Sequence, residues 1–135
     1  MTPADLIAKA IQAITSAKVL LKTGDADGAS NRAYYAMFDA ARAALIAAGV
    51  EIGKTHRGVL NAFSARFIKD GPLPKNIGRF LKRAETFRYV ADYEGSPVSL
   101  SDASELVAQA EQIVAAVRAT CVPESPDDER KGQGR

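Results

Sequence analysis

The chain has 135 residues, of which 47% are hydrophobic and 25% charged. That is enough for one domain with its own core, and it is not the composition of a chain disordered throughout or of a collagen- or mucin-like one. One cysteine, Cys121, excludes an internal disulfide; one histidine, His56, leaves a zinc site built on His and Cys almost nothing to draw on. The net charge of +2 conceals an asymmetry: nine of the 18 basic residues fall between Lys54 and Arg88, against only two of the 16 carboxylates, Asp70 and Glu85. Such a run suits a phosphate-bearing partner as readily as it suits a solvated helix face. No stretch approaches the roughly 18 apolar residues of a membrane span, and Met-Thr-Pro-Ala-Asp has no basic stretch leading into an apolar run. A cytoplasmic setting without a membrane is therefore expected.

The first predicted helix runs from Pro3 to Lys22. Pro3 suits a first turn, and Leu6, Ile7, Ala10, Ile11, Ile14, Ala17 and Leu21 recur at spacings of three and four. Gly24 is its stop signal. The second runs from a cap at Asp25 or Asp27 to Ala48, before Gly49. Small and aromatic side chains surround nearly its whole circumference, the mark of a central helix. Arg32 stands out there, because a charge on a buried helix needs a partner or a cavity.

The third helix starts at Lys54 or Thr55 and reaches Lys69, with Val59, Leu60, Phe63, Phe67 and Ile68 inward. Asp70-Gly71-Pro72-Leu73-Pro74 is a break. The fourth runs from Pro74 to Tyr93, with Ile77, Phe80, Leu81, Ala84, Phe87 and Ala91 inward, and ends at Gly95-Ser96-Pro97. The fifth begins at Ser99 or Ser101, where Ser101 with Ser104 or Glu105 resembles a capping arrangement. It carries Ala103, Leu106, Val107, Ala110, Ile113, Val114 and Val117 on one stripe. Residues 122–135 show no periodicity and read as a flexible tail behind a helical domain of residues 1–121. The predicted fold is all-α, an up-and-down bundle of four to five helices.

Three polar clusters carry the candidate chemistry. Asn31 and Tyr35 are four apart and share a face, with Arg32 beside them. Lys54-Thr55-His56-Arg57 opens a helix, where free backbone N–H groups attract anions. There Thr55 can cap, Lys54 adds charge, and His56 can donate to phosphate or move a proton near neutral pH. At the end of the fourth helix Arg88 and Asp92 are four apart, so they either pair with each other or share a pocket. Tyr89 reads as a packing residue, Tyr93 as a base-stacking or hydrogen-bonding one. The sequence has no Walker-type phosphate loop, dinucleotide fingerprint, nucleophile elbow or carboxylate pair for a two-metal site, and no cofactor or metal is expected.

Asn31-Arg32-Ala33-Tyr34-Tyr35-Ala36-Met37-Phe38, Lys54-Thr55-His56 and Arg88-x-x-Ala91-Asp92-Tyr93 together resemble the signature blocks of a branch of the HEPN (higher eukaryotes and prokaryotes nucleotide-binding) family. The resemblance covers Ala4 to Val117 and implies a helical bundle that forms homodimers. It also implies a nucleotide or RNA ligand, and pairing with a small nucleotidyltransferase in a toxin–antitoxin module. Many members are metal-independent ribonucleases that use an arginine, four to six intervening residues and a histidine. In this sequence four residues follow Arg88 and then comes Tyr93, where that histidine would stand. In the leading reading Arg32, Lys54, His56 and Arg88 contact phosphate at a site that also includes Thr55, with Asp92 orienting an arginine, because these polar residues stand out against otherwise apolar helices. Asn31, Tyr35 and Tyr93 would reach base or sugar. In the catalytic variant of this reading His56 is acid/base and Arg88 stabilises charge; in the structural variant Arg32, Arg88 and Asp92 form an internal network. The resemblance also makes Tyr93 the nearest candidate for adenylylation by a partner.

Overall fold

A computed structural model describes residues 1–95 and 97–122, and within them the chain forms five helices and no strand. Helix α1 spans Pro3–Lys22. Thr2 caps it, with its hydroxyl accepting from the Asp5 N–H at 3.1 Å while the Asp5 carboxylate accepts from the Thr2 N–H at 2.9 Å. Two first-turn donors are thereby satisfied reciprocally. Gly24, at φ 85°, then turns the chain, and the Asp25 N–H returns to the Leu20 carbonyl at 2.9 Å. Only glycine adopts that backbone without strain, so α1 and the helix that follows it are joined by a tight αα-hairpin.

Helix α2 spans Ala26–Ala47 and ends where Gly49 takes φ 74°. Of its two candidate caps, Asp25 is the one used, accepting from the Gly28 N–H at 2.8 Å. Asp27 instead accepts from the Val98 N–H at 2.8 Å and ties the start of α2 to the segment before the last helix. Helix α3 spans His56–Phe63 and widens into a π-helical stretch, Ser64–Lys69. Helix α4 spans Lys75–Tyr89 and widens in the same way over Val90–Glu94. Helix α5 spans Leu100–Thr120; Ser99, rather than Ser101, caps it, accepting from the Asp102 N–H at 3.1 Å. The predicted tail from residue 123 onward lies outside the described residues.

Helices α1, α2 and α5 pack on one another, and α2 also meets α3 and α4, so it is the central rod. Leu6, Met37, Leu45, Phe63, Leu106, Ile113 and Val117 are the largest fully buried side chains, each contributing about 1.5–3 kcal/mol by leaving water. Between them α2 buries a file of methyl groups, Ala29, Ala33, Ala36, Ala40, Ala41, Ala43 and Ala44. Across the surface Arg83 of α4 pairs with Glu105 at 2.5 Å and Asp102 at 3.4 Å, and Lys18 of α1 with Glu111 at 2.9 Å. These partly exposed pairs contribute a few tenths of a kcal/mol each.

Three expectations differ from the structure. Ile11, placed on the apolar stripe of α1, is 40% exposed, and Tyr89, read as a packing residue, is 58% exposed. Arg32 is exposed and not buried within the bundle. Alanine caused this last error: it is common inside proteins, yet it carries too little apolar surface to mark a buried face, and Ala47 of the same helix is exposed.

Candidate functional site

The site is built where α2, α3 and α4 meet. Thr55 caps α3, its hydroxyl accepting from the Gly58 N–H at 3.0 Å. This fixes His56 as the first helical residue and turns its ring against α2. There the imidazole lies 4.3 Å from the Phe38 ring, 5.9 Å from Tyr34 and 6.1 Å, edge-on, from Tyr35. From the last turn of α4, Arg88 reaches over the same two tyrosines, its guanidinium carbon 4.7 Å from the Tyr34 ring centre and 5.4 Å from that of Tyr35. One of its nitrogens, Nη1, stands 2.6 Å from His56 Nδ1. Another, Nη2, makes a long donation to the Tyr35 hydroxyl at 3.5 Å, and Nε faces the Asp92 carboxylate at 3.5 Å.

This geometry fixes the protons. A guanidinium has donors only, so His56 Nδ1 must be the acceptor. The imidazole is then neutral, with its hydrogen on Nε2. Burial holds the His56 pKa below its ordinary 6.5, and the positive charges of Arg88 and Arg42 act in the same direction. The Tyr34 hydroxyl oxygen lies 3.3 Å from the same Nδ1. Burial pushes the Tyr34 phenol upward, against the lowering influence of Arg88, so Tyr34 too is neutral at pH 7. The five donors of the guanidinium and the Tyr34 and Tyr35 hydroxyls thus share one imidazole lone pair, the two phenol oxygens and a carboxylate whose side chain is 56% exposed, which leaves guanidinium donors to spare. An entering anion would satisfy that imbalance.

Two recesses flank the cluster. The first, about 310 Å³, is lined by Asp27, Ser30, Asn31, Phe87, Arg88 and Asp92 among others. The second, about 570 Å³, runs between α1 and α2 and is lined by Lys9, Arg32, Tyr35, Phe38, Asp39 and Arg42 among others.

The predicted residues thus separate into groups. His56, Arg88 and Tyr35 meet directly, and Asp92 borders them. Asn31 reaches the first recess beside Arg88, while Arg32 faces the second. Thr55 acts as a helix cap. Lys54 is exposed on the turn before α3. Tyr93 is 77% exposed and pairs with Tyr89, ring centres 4.9 Å apart. Of the nine basic residues between Lys54 and Arg88, seven are exposed, Arg83 clips α4 to α5, and Arg88 alone enters the cluster. Sequence reasoning missed Tyr34, Phe38, Asp39 and Arg42. Tyr34 and Phe38 are four apart, the spacing that brings both rings to one face of α2, and that signal was there to be read.

Comparison with known proteins agrees with this architecture. The model of the HEPN domain matches residues 4–120. The chain is 39% identical over 113 residues to a UPF0332 protein of Gloeobacter violaceus, covering 81% of this chain and 89% of the relative. It is 40% identical over 85 residues to a UPF0332 protein of Thermotoga maritima, covering 63% and 64% of the two chains. It is also 30% identical over 109 residues, 81% of each chain, to a Methanocaldococcus jannaschii protein provisionally named a toxin. With that match spanning nearly all of the five-helix bundle, the chain belongs to the HEPN-domain family.

Proposed function

We propose that this protein is the RNA-directed component of a toxin-type module, and that the Arg88–His56 pair grips a backbone phosphate. The observation that carries the reading is the 2.6 Å contact between Arg88 Nη1 and His56 Nδ1. Two groups distant in sequence supply a cation and an imidazole at one point, in a cluster short of acceptors. A phosphate would accept from the guanidinium fork and from the Tyr35 hydroxyl, whose own hydrogen has no partner in the cluster. The exposed Tyr89 and Tyr93 rings offer stacking surfaces for bases next to Arg88. Lys54, exposed on the turn just before His56, adds charge; Asn31 meets base or sugar from the first recess, and Asp92 orients Arg88. The relative named as a toxin supports the module assignment, within which the chain acts as a homodimer beside a small nucleotidyltransferase.

The same contact favours a second reading, metal-independent RNA cleavage. In this reading His56, in contact with Arg88, does the work of the histidine that the family pattern would put at Tyr93. When Arg88 turns to a phosphate, the Nδ1 lone pair is released and can take the proton of a ribose 2′-hydroxyl. The O2′–P bond forms as the P–O5′ bond breaks, the imidazolium returns its proton to O5′, and Arg88 stabilises the extra charge on phosphorus. The test is binding and cleavage of single-stranded RNA by the purified protein. Loss of binding in Arg88→Ala, with the fold intact, is expected. Loss of cleavage but not binding in His56→Ala would assign the chemistry. Undiminished binding in Arg88→Ala would leave Arg88 a structural residue.

A further inference from the structure

The groove between α1 and α2 gathers charge from two helices. Lys9 comes from α1, Arg32 and Arg42 from α2, and all three line the same 570 Å³ recess. One carboxylate opposes them, that of Asp39, which is only 5% exposed and stands 3.6 Å from Arg42. Burial raises the Asp39 pKa, while Lys9 and Arg42 pull it down. Three cations therefore surround at most one negative charge, and that charge sits at the bottom of the groove rather than at its rim. Its aromatic wall is Tyr35 and Phe38, both half-buried.

Those two rings also form the wall of the Arg88–His56 cluster. The Tyr35 hydroxyl receives Arg88 at 3.5 Å and the Phe38 ring lies 4.3 Å from His56. Arg42 stands over Phe38 at 5.8 Å and its charge is felt at His56. The groove and the cluster are thus two sides of one aromatic partition.

We propose that the α1–α2 groove is a second phosphate subsite, in which Lys9, Arg32 and Arg42 hold the backbone of single-stranded RNA flanking the phosphate bound at Arg88. This rests on the RNA reading of the Arg88 cluster. Cations from two rods track successive phosphates, and the Tyr35 and Phe38 rings between them give an intervening base a surface to lie on. A ligand with a single phosphate would engage Arg88 alone; a longer strand would engage both sides.

The experiment compares a single-stranded RNA of about ten nucleotides, a length typical of such sites, with a dinucleotide. Binding is measured by fluorescence anisotropy across a range of salt. Lys9 and Arg32 are exposed, so the variant Lys9→Ala/Arg32→Ala should keep its melting temperature. It should bind the longer RNA roughly tenfold more weakly, with a salt slope smaller by roughly 0.7 for each phosphate that is no longer neutralised, and bind the dinucleotide as the parent does. Lys22→Ala/Lys69→Ala, which removes the same charge from exposed positions outside the groove, should leave both ligands unaffected. Arg88→Ala should weaken both. Parental affinity of Lys9→Ala/Arg32→Ala for the longer RNA, with Arg88→Ala defective, would overturn the subsite and leave the Arg88 reading standing. Full binding by Arg88→Ala would overturn the Arg88 reading itself. Equal losses in the groove and control variants, or a change of oligomeric state in the groove variant with RNA affinity intact, would also overturn the subsite.

Discussion

Replacing Arg88 by alanine separates a binding role from a structural one, because the structure sets the size of each. On the stability side, Arg88 lies over two tyrosine rings and faces a half-exposed Asp92 across 3.5 Å. Partly exposed cation–π contacts contribute about 0.5–1 kcal/mol, and an exposed i,i+4 ion pair a few tenths. The hydrogen bond to the neutral imidazole of His56 adds about 0.5–1 kcal/mol. Truncation strands no buried charge, since Asp92 remains hydrated. The net loss is about 1–2 kcal/mol, a fall of roughly 3–8 °C in Tm for a domain of this size. On the binding side, a guanidinium–phosphate hydrogen-bonded pair contributes about 1.5–3 kcal/mol, or roughly 10- to 150-fold in Kd. A third readout is independent of both. His56 is the sole histidine, so a proton NMR titration reports one imidazole without overlap. Removing Arg88 should raise its midpoint only part of the way back, because burial is the larger cause and remains. Adding RNA to the parent protein should raise it too, as an anion replaces the cation at Nδ1. A variant that loses several degrees of Tm but binds RNA as before would refute the assignment, as would an His56 midpoint that falls.

Three further outcomes follow from local geometry. Protonating His56 favours the unfolded chain, since its folded pKa is depressed below 6.5; its contribution to stability is full above that value and is lost as pH falls through the folded pKa. Denaturant titrations should therefore show a stability decline on acidification in the parent that is reduced in His56→Phe. Thr55→Ala removes the cap of α3 and should cost about 1 kcal/mol in chemical denaturation, while weakening RNA binding through the loosened His56 ring; Thr55→Ser should restore both. At Gly71 an added Cβ would run into the backbone of Phe67 and Arg66, neither able to move without breaking the turn in which the Leu73 N–H meets the Phe67 carbonyl at 2.9 Å. Gly71→Ala should lower stability by about 1–3 kcal/mol, whereas Gly53→Ala, where the Cβ meets open space, should change little.

Local pattern made most of the bundle readable. Pro3 and Gly24 bracket α1, and the apolar spacing of α5 matches its buried face at Ala103, Leu106, Ala110, Ile113, Val114 and Val117. Cap choice was less readable, because Ser99 and Ser101 have the same chemistry and only the backbone angle decides between them. The site was partly readable: Arg88 and His56 could each be picked out by residue type, but their meeting depends on how α3 and α4 lean on α2. Nothing in a spacing of 32 residues encodes that. Arg32 shows the opposite failure. Its neighbourhood suggested burial, and the structure instead places it in a groove formed only when α1 lies alongside, together with Lys9, far earlier in the chain. Asp39 and Arg42 were missed for the same reason.

The methyl groups along the middle of α2 have a consequence for mutability. Where alanines set the distance between rods, the interior has no slack: any larger side chain must push a neighbouring rod outward along its whole length. In a saturation screen, Ala33, Ala36, Ala40 and Ala44 should accept glycine or serine more readily than valine or leucine, the reverse of what sites such as Leu106 accept. Drift in this protein would then be confined to its rim, and the spacing of the rods that brings Arg88 to His56 would be held fixed by its smallest side chains.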